Sequence, residues 1–312
     1  MRGINQLDRV NYYNILAMLV SACLAIFIPF ELVLLSYAIL GPGHYLTEIS
    51  WLKGKQFFTV KKYDYLIILG IAILAILIRL PSANLVFYTF GLSLLFLFIK
   101  DSFNRIAAIF ILVIAGYFLL SHNILSAIFG LYLNSLIHVY VFTGMFILYG
   151  ALKSKRISGY LSVLIFVLCP ILLLFLFTGL HITPTAWAIS NYTHFSRLNF
   201  VTLRSHSIDI YTNNASILLT RFIAFAYLYH YLNWFSKTSI IQWHKISVKR
   251  TVIIILIWGG SIALYFYNYN TGLHWLYMMS FVHVILEFPL NHLTFIGIGK
   301  ELRTRLLPIA TK

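Results

Sequence analysis

"NYYNILAMLVSACLAIFIPFELVLLSYAILGPGHYLTEISWL", residues 11–52, contains no Lys or Arg, and its only acidic side chains are Glu31 and Glu48. About 20 apolar residues suffice to cross roughly 30 Å of hydrocarbon as a helix, so this stretch holds two spans. Pro29 with Glu31 marks the turn between them, giving spans at 12–28 and 30–52. The second span carries Gly41, Pro42, Gly43, His44 and Glu48 inside its apolar run. Freed backbone at membrane depth is tolerated only where it lines protein or a cavity. The Gly-Pro-Gly therefore predicts one short helix ending and another starting, with His44 near the middle of the membrane.

The rest of the chain has the same character. Of 312 residues, 61% are hydrophobic and 10% charged, against about 25% charged in soluble proteins. The expected fold is an all-α polytopic bundle forming a single transmembrane domain over 1–312. Eight further apolar runs follow at 64–82, 84–99, 104–121, 128–151, 158–180, 215–236, 251–270 and 273–296. That makes about ten transmembrane helices, or eight to ten where neighbouring runs merge. One long connection, 181–214, faces outward in this scheme, and long loops on compact proteins often form lids or gates.

A net charge of +15 first suggests nucleic acid, but that needs a basic face, and here the basic residues lie in short loops between apolar runs. Lys and Arg collect in cytoplasmic loops of membrane proteins. With ten spans and a cytoplasmic N-terminus, all of them fall on one side except Arg79, Arg197, Arg204 and Arg221. Both termini are then cytoplasmic, and the partner that the charge implies is a lipid bilayer, with no nucleic acid. The first apolar run lacks a small-residue cleavage site, which predicts a retained helix and not a removed signal. Cys23 and Cys169 lie inside apolar runs, too few and too far apart for a disulfide framework or a zinc site, and read as packing residues.

Ionisable groups inside spans are costly and usually face the bundle interior, where they pair, bind ions or act in chemistry. Here they are His44 and Glu48 in span two, His138 near Asn134 in span six, His230 in span eight, and His283, Glu287 and His292 in span ten. All four spans run from outside to inside. At about 1.5 Å per residue the five imidazoles fall between the midplane and the inner leaflet, so four helices can present them to one point. His44 and Glu48, like His283 and Glu287, are four residues apart and share a helix face. In such a pair the carboxylate either shares a metal with the imidazole or accepts its distal N–H and fixes the tautomer.

Structural roles compete with this reading. His138 can bond Asn134 or a backbone carbonyl, His230 can join Tyr227, Tyr229, Tyr231 and Trp234 in an interfacial aromatic belt, and His292 can be satisfied near the inner boundary. Were the site at the outer surface instead, His194 and His206 would be the first additions. The chain has no GxGxxG with a following acidic residue, Walker loop, GxSxG, HExxH or CxxC, so nucleotide cofactors, serine hydrolysis, zincin proteolysis and thiol redox lack support. Neutral imidazoles with few carboxylates suit Fe(II), Zn or Cu.

These residues resemble the bacterial Brp/Blh family of membrane carotene-cleaving dioxygenases. The family's early G-x-x-H-G-x-x-D motif is similar to Gly41-Pro42-Gly43-His44-Tyr45-Leu46-Thr47-Glu48, with Tyr for the second Gly and Glu for Asp. Its A-Y-H-F segment resembles "FAYLYHYLNW" around His230, and its late His with an acidic residue resembles His283 and Glu287 in "SFVHVILEF". The resemblance implies Fe(II) held by histidine, oxygenase chemistry on a long apolar polyene such as a carotenoid, and a place in the bacterial inner membrane. The metal ligands are then drawn from His44, His138, His230, His283 and His292, with Glu48 and Glu287 orienting imidazoles. The alternative is a transporter or channel that passes protons or a transition metal through the same His and Glu residues.

Overall fold

The computed structural model describes residues 5–55, 81–204 and 209–306, with residues 66, 69–70 and 73–74 of the third apolar run, and every regular element among them is helical. In order these are α1 (Gln6–Phe27), α2 (Pro29–Leu35), a π-helical turn (Ser36–Leu40), α3 (Gly41–Lys55), α4 (Ser82–Phe98), α5 (Ser102–Leu119), α6 (Asn123–Ala127), a π-helix (Ile128–Phe142) and α7 (Thr143–Ser154). They continue with α8 (Ile157–Phe175), α9 (Ala186–Tyr192), α10 (Arg197–Leu203), α11 (Asn214–Ser236), α12 (Thr238–Ile241), α13 (Val248–Tyr267) and α14 (Tyr269–Leu306). Helical segments cover nine of the ten apolar runs; most of the third lies outside the described residues. Seven are individually long and apolar enough to cross a membrane.

The first apolar run divides where Pro29 predicts. Ile28 leaves the helical region (φ −133°) and Pro29 opens α2 in its first turn, where a missing N–H costs nothing. Glu31 on α2 accepts from the Thr185 amide at 2.7 Å, anchoring the entry to α9. Across the same end, Arg221 is fully buried and donates to the carbonyls of Ile26, Phe177 and Leu180 at 3.1, 2.7 and 2.9 Å. It thereby serves a carbonyl at the end of α1 that lacks a helical partner and two carbonyls in the turn that follows α8.

The expected break at Gly41-Pro42-Gly43 is corrected: the chain stays helical from Pro29 to Lys55. The π-turn just before it absorbs the proline, because its wider i→i+5 bonding, as from Gly41 N–H to the Ser36 carbonyl, relieves the ring clash that would kink an α-helix. Gly43 has a separate reason to be glycine. A Cβ there would lie 2.5 Å from the ring of Trp258, whose Nε1 donates to the Ile39 carbonyl at 2.6 Å, so α13 seats against the π-turn.

Burial orders the helices from centre to rim. In the most apolar window of each, 78% of α11 and 61% of α14 is buried, against 11% of α5. α11 packs on α1, α2 and α8, while α14 packs on α3, α7 and α13. The bundle centre therefore lies where α11 and α14 approach α3 and the π-helix. The connection 181–214 carries α9 and α10 and packs inward: Tyr192 and Asn199 are buried, and Asn199 donates to Thr220 Oγ1 of α11 at 2.9 Å. Residues 205–208, including His206, lie outside the described residues.

Candidate metal centre

Four central elements each contribute one buried imidazole: His44 from α3, His138 from the π-helix, His230 from α11 and His283 from α14. One ring nitrogen from each lies within 4.8 Å of the others. The rings form a closed square, with centroids 4.6 Å apart for His44 and His230, 5.0 Å for His230 and His138, 4.9 Å for His138 and His283, and 5.1 Å for His283 and His44. Nε2 of His44 is 3.0 Å from Nε2 of His230, and Nε2 of His138 is 3.1 Å from Nε2 of His283.

The far sides of the rings explain why these nitrogens turn inward. His283 Nδ1 is 2.7 Å from the Ser280 carbonyl, which can only accept, so the proton sits on Nδ1 and the Nε2 lone pair faces the cluster. His230 Nδ1 is held by Thr143 Oγ1 at 2.8 Å, and His138 Nδ1 faces Glu287 Oε2 at 3.3 Å. A partner behind the ring that fixes its orientation is the usual arrangement for a ligating histidine.

The donor set fits a metal ion. An ion about 2.0–2.1 Å from each nitrogen needs N···N separations between roughly 2.9 Å for a pair at a right angle and 4.2 Å for a trans pair, a range that includes the 3.0 and 3.1 Å pairs. His44 Nδ1 is buried without a hydrogen-bond partner, and His138 Nδ1, Glu48 Oε2 and Glu287 Oε2 are buried with only ring–carboxylate contacts of 3.1 and 3.3 Å that fall short of hydrogen-bond geometry, an expensive condition in an apolar interior. Glu48, His283 and Glu287 also bring one donor atom each within 4.8 Å of one another. One divalent cation balances two carboxylates among neutral imidazoles and removes most of that cost.

The two His-x-x-x-Glu pairs, expected either to share a metal or to orient imidazoles from behind, are arranged differently from one another. Glu48 Oε2 stands 3.1 Å from His44 Nε2, the cluster-facing nitrogen, so it meets the same space as the ligands. Glu287 crosses to His138 on another element, and a backbone carbonyl holds His283 in its place.

Among the remaining sequence candidates, His292 is not brought to the centre. Its Nε2 lies 2.9 Å from Ser93 Oγ and 3.1 Å from the Phe90 carbonyl, and its ring packs on Phe90, so it ties α14 to α4. His230 is buried and not part of an interfacial belt. Asn134 faces a separate cavity, with its Oδ1 unpartnered. Sequence reading missed Thr143, Ser280 and Tyr45. Tyr45 stacks on His283 at 4.3 Å and shares a 2.8 Å hydroxyl contact with Tyr231. A signal existed for Thr143, a lone polar residue in an apolar run five places after His138, but none for Ser280, which acts through its backbone.

Two cavities lie near the cluster, and one of them reaches its histidines. One of about 200 Å³ reaches His44, Glu48, His230 and Glu287 and extends toward Lys237. The other, about 310 Å³, lies beyond Ser280 and Tyr37 toward the connection that carries His194.

Fold and site together define an all-α protein of membrane type with a buried four-histidine cluster that could hold a metal. No protein family, curated protein or solved structure matches the chain.

Proposed function

We propose that the protein is an integral membrane metalloenzyme, a nonheme iron oxygenase acting on a lipid-soluble substrate of carotenoid or other isoprenoid type. The supporting observation is the convergence of four imidazoles, three of them backed by a group that turns Nε2 inward. In this reading the chain crosses the membrane ten times with both termini cytoplasmic, as the distribution of Lys and Arg supports. The Brp/Blh resemblance at His44, His230 and His283 supports iron and a polyene.

Bound ferrous ion supplies redox chemistry with dioxygen that no side chain of this chain offers. His44, His138, His230 and His283 hold it, and Thr143, Glu287 and the Ser280 carbonyl keep their rings aimed. Glu48, beside His44 Nε2, contributes compensating charge. Tyr45 covers the His283 ring and excludes water from that side, while Trp51, Phe146 and Trp234 line the adjoining cavity with apolar surface suited to a hydrocarbon substrate. The test is elemental analysis of purified protein with a product assay on carotenoid in the same preparation. Iron near stoichiometry, lost together with product formation in His44→Ala, is expected; stoichiometric zinc, or metal retained without these histidines, overturns the reading.

A second reading, transport of a transition metal or of protons, draws on the presence of a second cavity, lined by Ser280 and Asn134, besides the one that reaches His44 and His230. Lys237 in the wall of the 200 Å³ cavity disfavours it, since a fixed positive charge on the path repels a cation in transit. Flux into vesicles that depends on His44, without product formation, would select it.

A further inference from the structure

The 200 Å³ cavity is a shaft that runs along the helices. α11 and the residue that caps its end contribute His230, Asn233 and Lys237 to its wall, and α14 contributes Glu287, Leu290 and Thr294. Both sets repeat at three- and four-residue steps, so each is one stripe of a helix face. Seven residues of helix separate His230 from Lys237, and Glu287 from Thr294, which at 1.5 Å per residue makes the shaft on the order of 10 Å deep. Its two ends differ in charge. At the bottom are the histidines with both carboxylates. Near the mouth is Lys237, half-buried just past the end of α11.

No carboxylate pairs with Lys237 among the described residues. Burial pushes its ammonium down to about 8, the cost of enclosing a cation without a counter-charge. The mouth is also a built feature: Trp51 Nε1 donates to the Ile241 carbonyl at 3.0 Å, and this holds α12 beside the opening, with Trp51 and Ile241 both in its wall.

We infer that this shaft binds a linear amphiphile end-on, with an anionic head, carboxylate or phosphate, on Lys237 and an apolar chain reaching the histidine cluster. The inference rests on the reading of that cluster as acting on a lipid-soluble substrate, and it specifies the substrate's polar end. It makes Lys237 a specificity-determining residue: the depth of the shaft fixes how far from the head the cluster meets the chain.

Brominated decanoate tests this, because bromine quenches tryptophan on contact and Trp51 and Trp234 line the shaft. Full-length protein in nanodiscs of zwitterionic lipid is titrated with the brominated acid, then with decanoate, decyl phosphate and decanol as competitors. Both anions should displace the probe and decanol should not, with the stronger anion identifying the head group. Lys237→Gln should weaken the anions about tenfold or more, the loss of a charge-assisted hydrogen bond, and Lys237→Arg should retain them. Thr294→Phe, which fills the shaft, should abolish specific quenching. Decanol competing as well as decanoate, or unchanged affinity in Lys237→Gln or Thr294→Phe, overturns the inference. Metal content is measured on each sample, so absence of iron from the wild type would defeat the oxygenase reading while leaving Lys237-dependent binding intact.

Discussion

His44 with Glu48 and His283 with Glu287 are the same pattern in sequence and different devices in the fold. In the first pair the carboxylate stays on its own helix and meets the cluster-facing nitrogen at 3.1 Å. In the second it leaves its helix-mate and faces His138 at 3.3 Å, while the Ser280 carbonyl holds His283. Four-residue spacing puts two side chains on one face of a helix but does not say which neighbour a flexible carboxylate takes. The helix facing it decides that. Beside α14 stands the π-helix carrying His138, and π-helical segments frequently mark functional sites.

The largest effects should come from the clustered histidines themselves. His283→Ala and His138→Ala should each abolish stoichiometric metal binding, while His292→Ala should leave metal content unchanged because its partners are Ser93 and Phe90. Metal analysis of purified variants checks this; loss of metal in His292→Ala together with retention in His138→Ala would invert the assignment. Metal should also stabilise the wild type. An ion that binds only the folded form adds about 2.7 kcal/mol at a free concentration 100 times its Kd, visible as a rise in Tm that His283→Ala removes.

Glu48→Gln should weaken metal binding on the order of 100-fold, the upper end for groups supporting a metal site. The carboxylate lies beside a ligating nitrogen, and the amide that replaces it brings neither the charge nor a comparable donor. Competition against a chelator of known affinity measures the change. Thr143→Val should cost about 10-fold, the lower end of that range. It removes the partner of His230 Nδ1 and leaves the ring free to turn, and Thr143→Ser should restore binding.

Much of this organisation was legible in the chain. Apolar runs of spanning length mark helices that the structure contains, and Pro29 marks the division between α1 and α2. Of the five histidines singled out by their depth in apolar runs, four meet. The rest depends on forces that sequence spacing does not carry. Gly41-Pro42-Gly43 reads as a break because proline removes an α-helical hydrogen bond; the π-turn at Ser36–Leu40 accommodates it, and nothing in the local pattern announces such a turn. His292 reads like its neighbours because depth along a helix says nothing about direction around it: His292 faces Ser93 on α4. Ser280 is invisible in sequence because any residue there offers a carbonyl.

The sharpest measure of the contrast is the smallest effect. Glu287→Gln should weaken metal binding less than about 10-fold, since the Gln carbonyl can still face His138 Nδ1 as the carboxylate does and only the charge is lost. A loss equal to that of Glu48→Gln would mean that both carboxylates act as ligands and that the two pairs are one device. Glu287→Ala separates the remaining possibilities. If Glu287 orients His138, removing the acceptor should cost more than removing its charge, and Glu287→Ala should add little to the loss already caused by His138→Ala in a double-mutant cycle. If it supplies charge alone, Ala and Gln should behave alike. A larger loss in Ala than in Gln, with both smaller than in Glu48→Gln, is the order that the two geometries require.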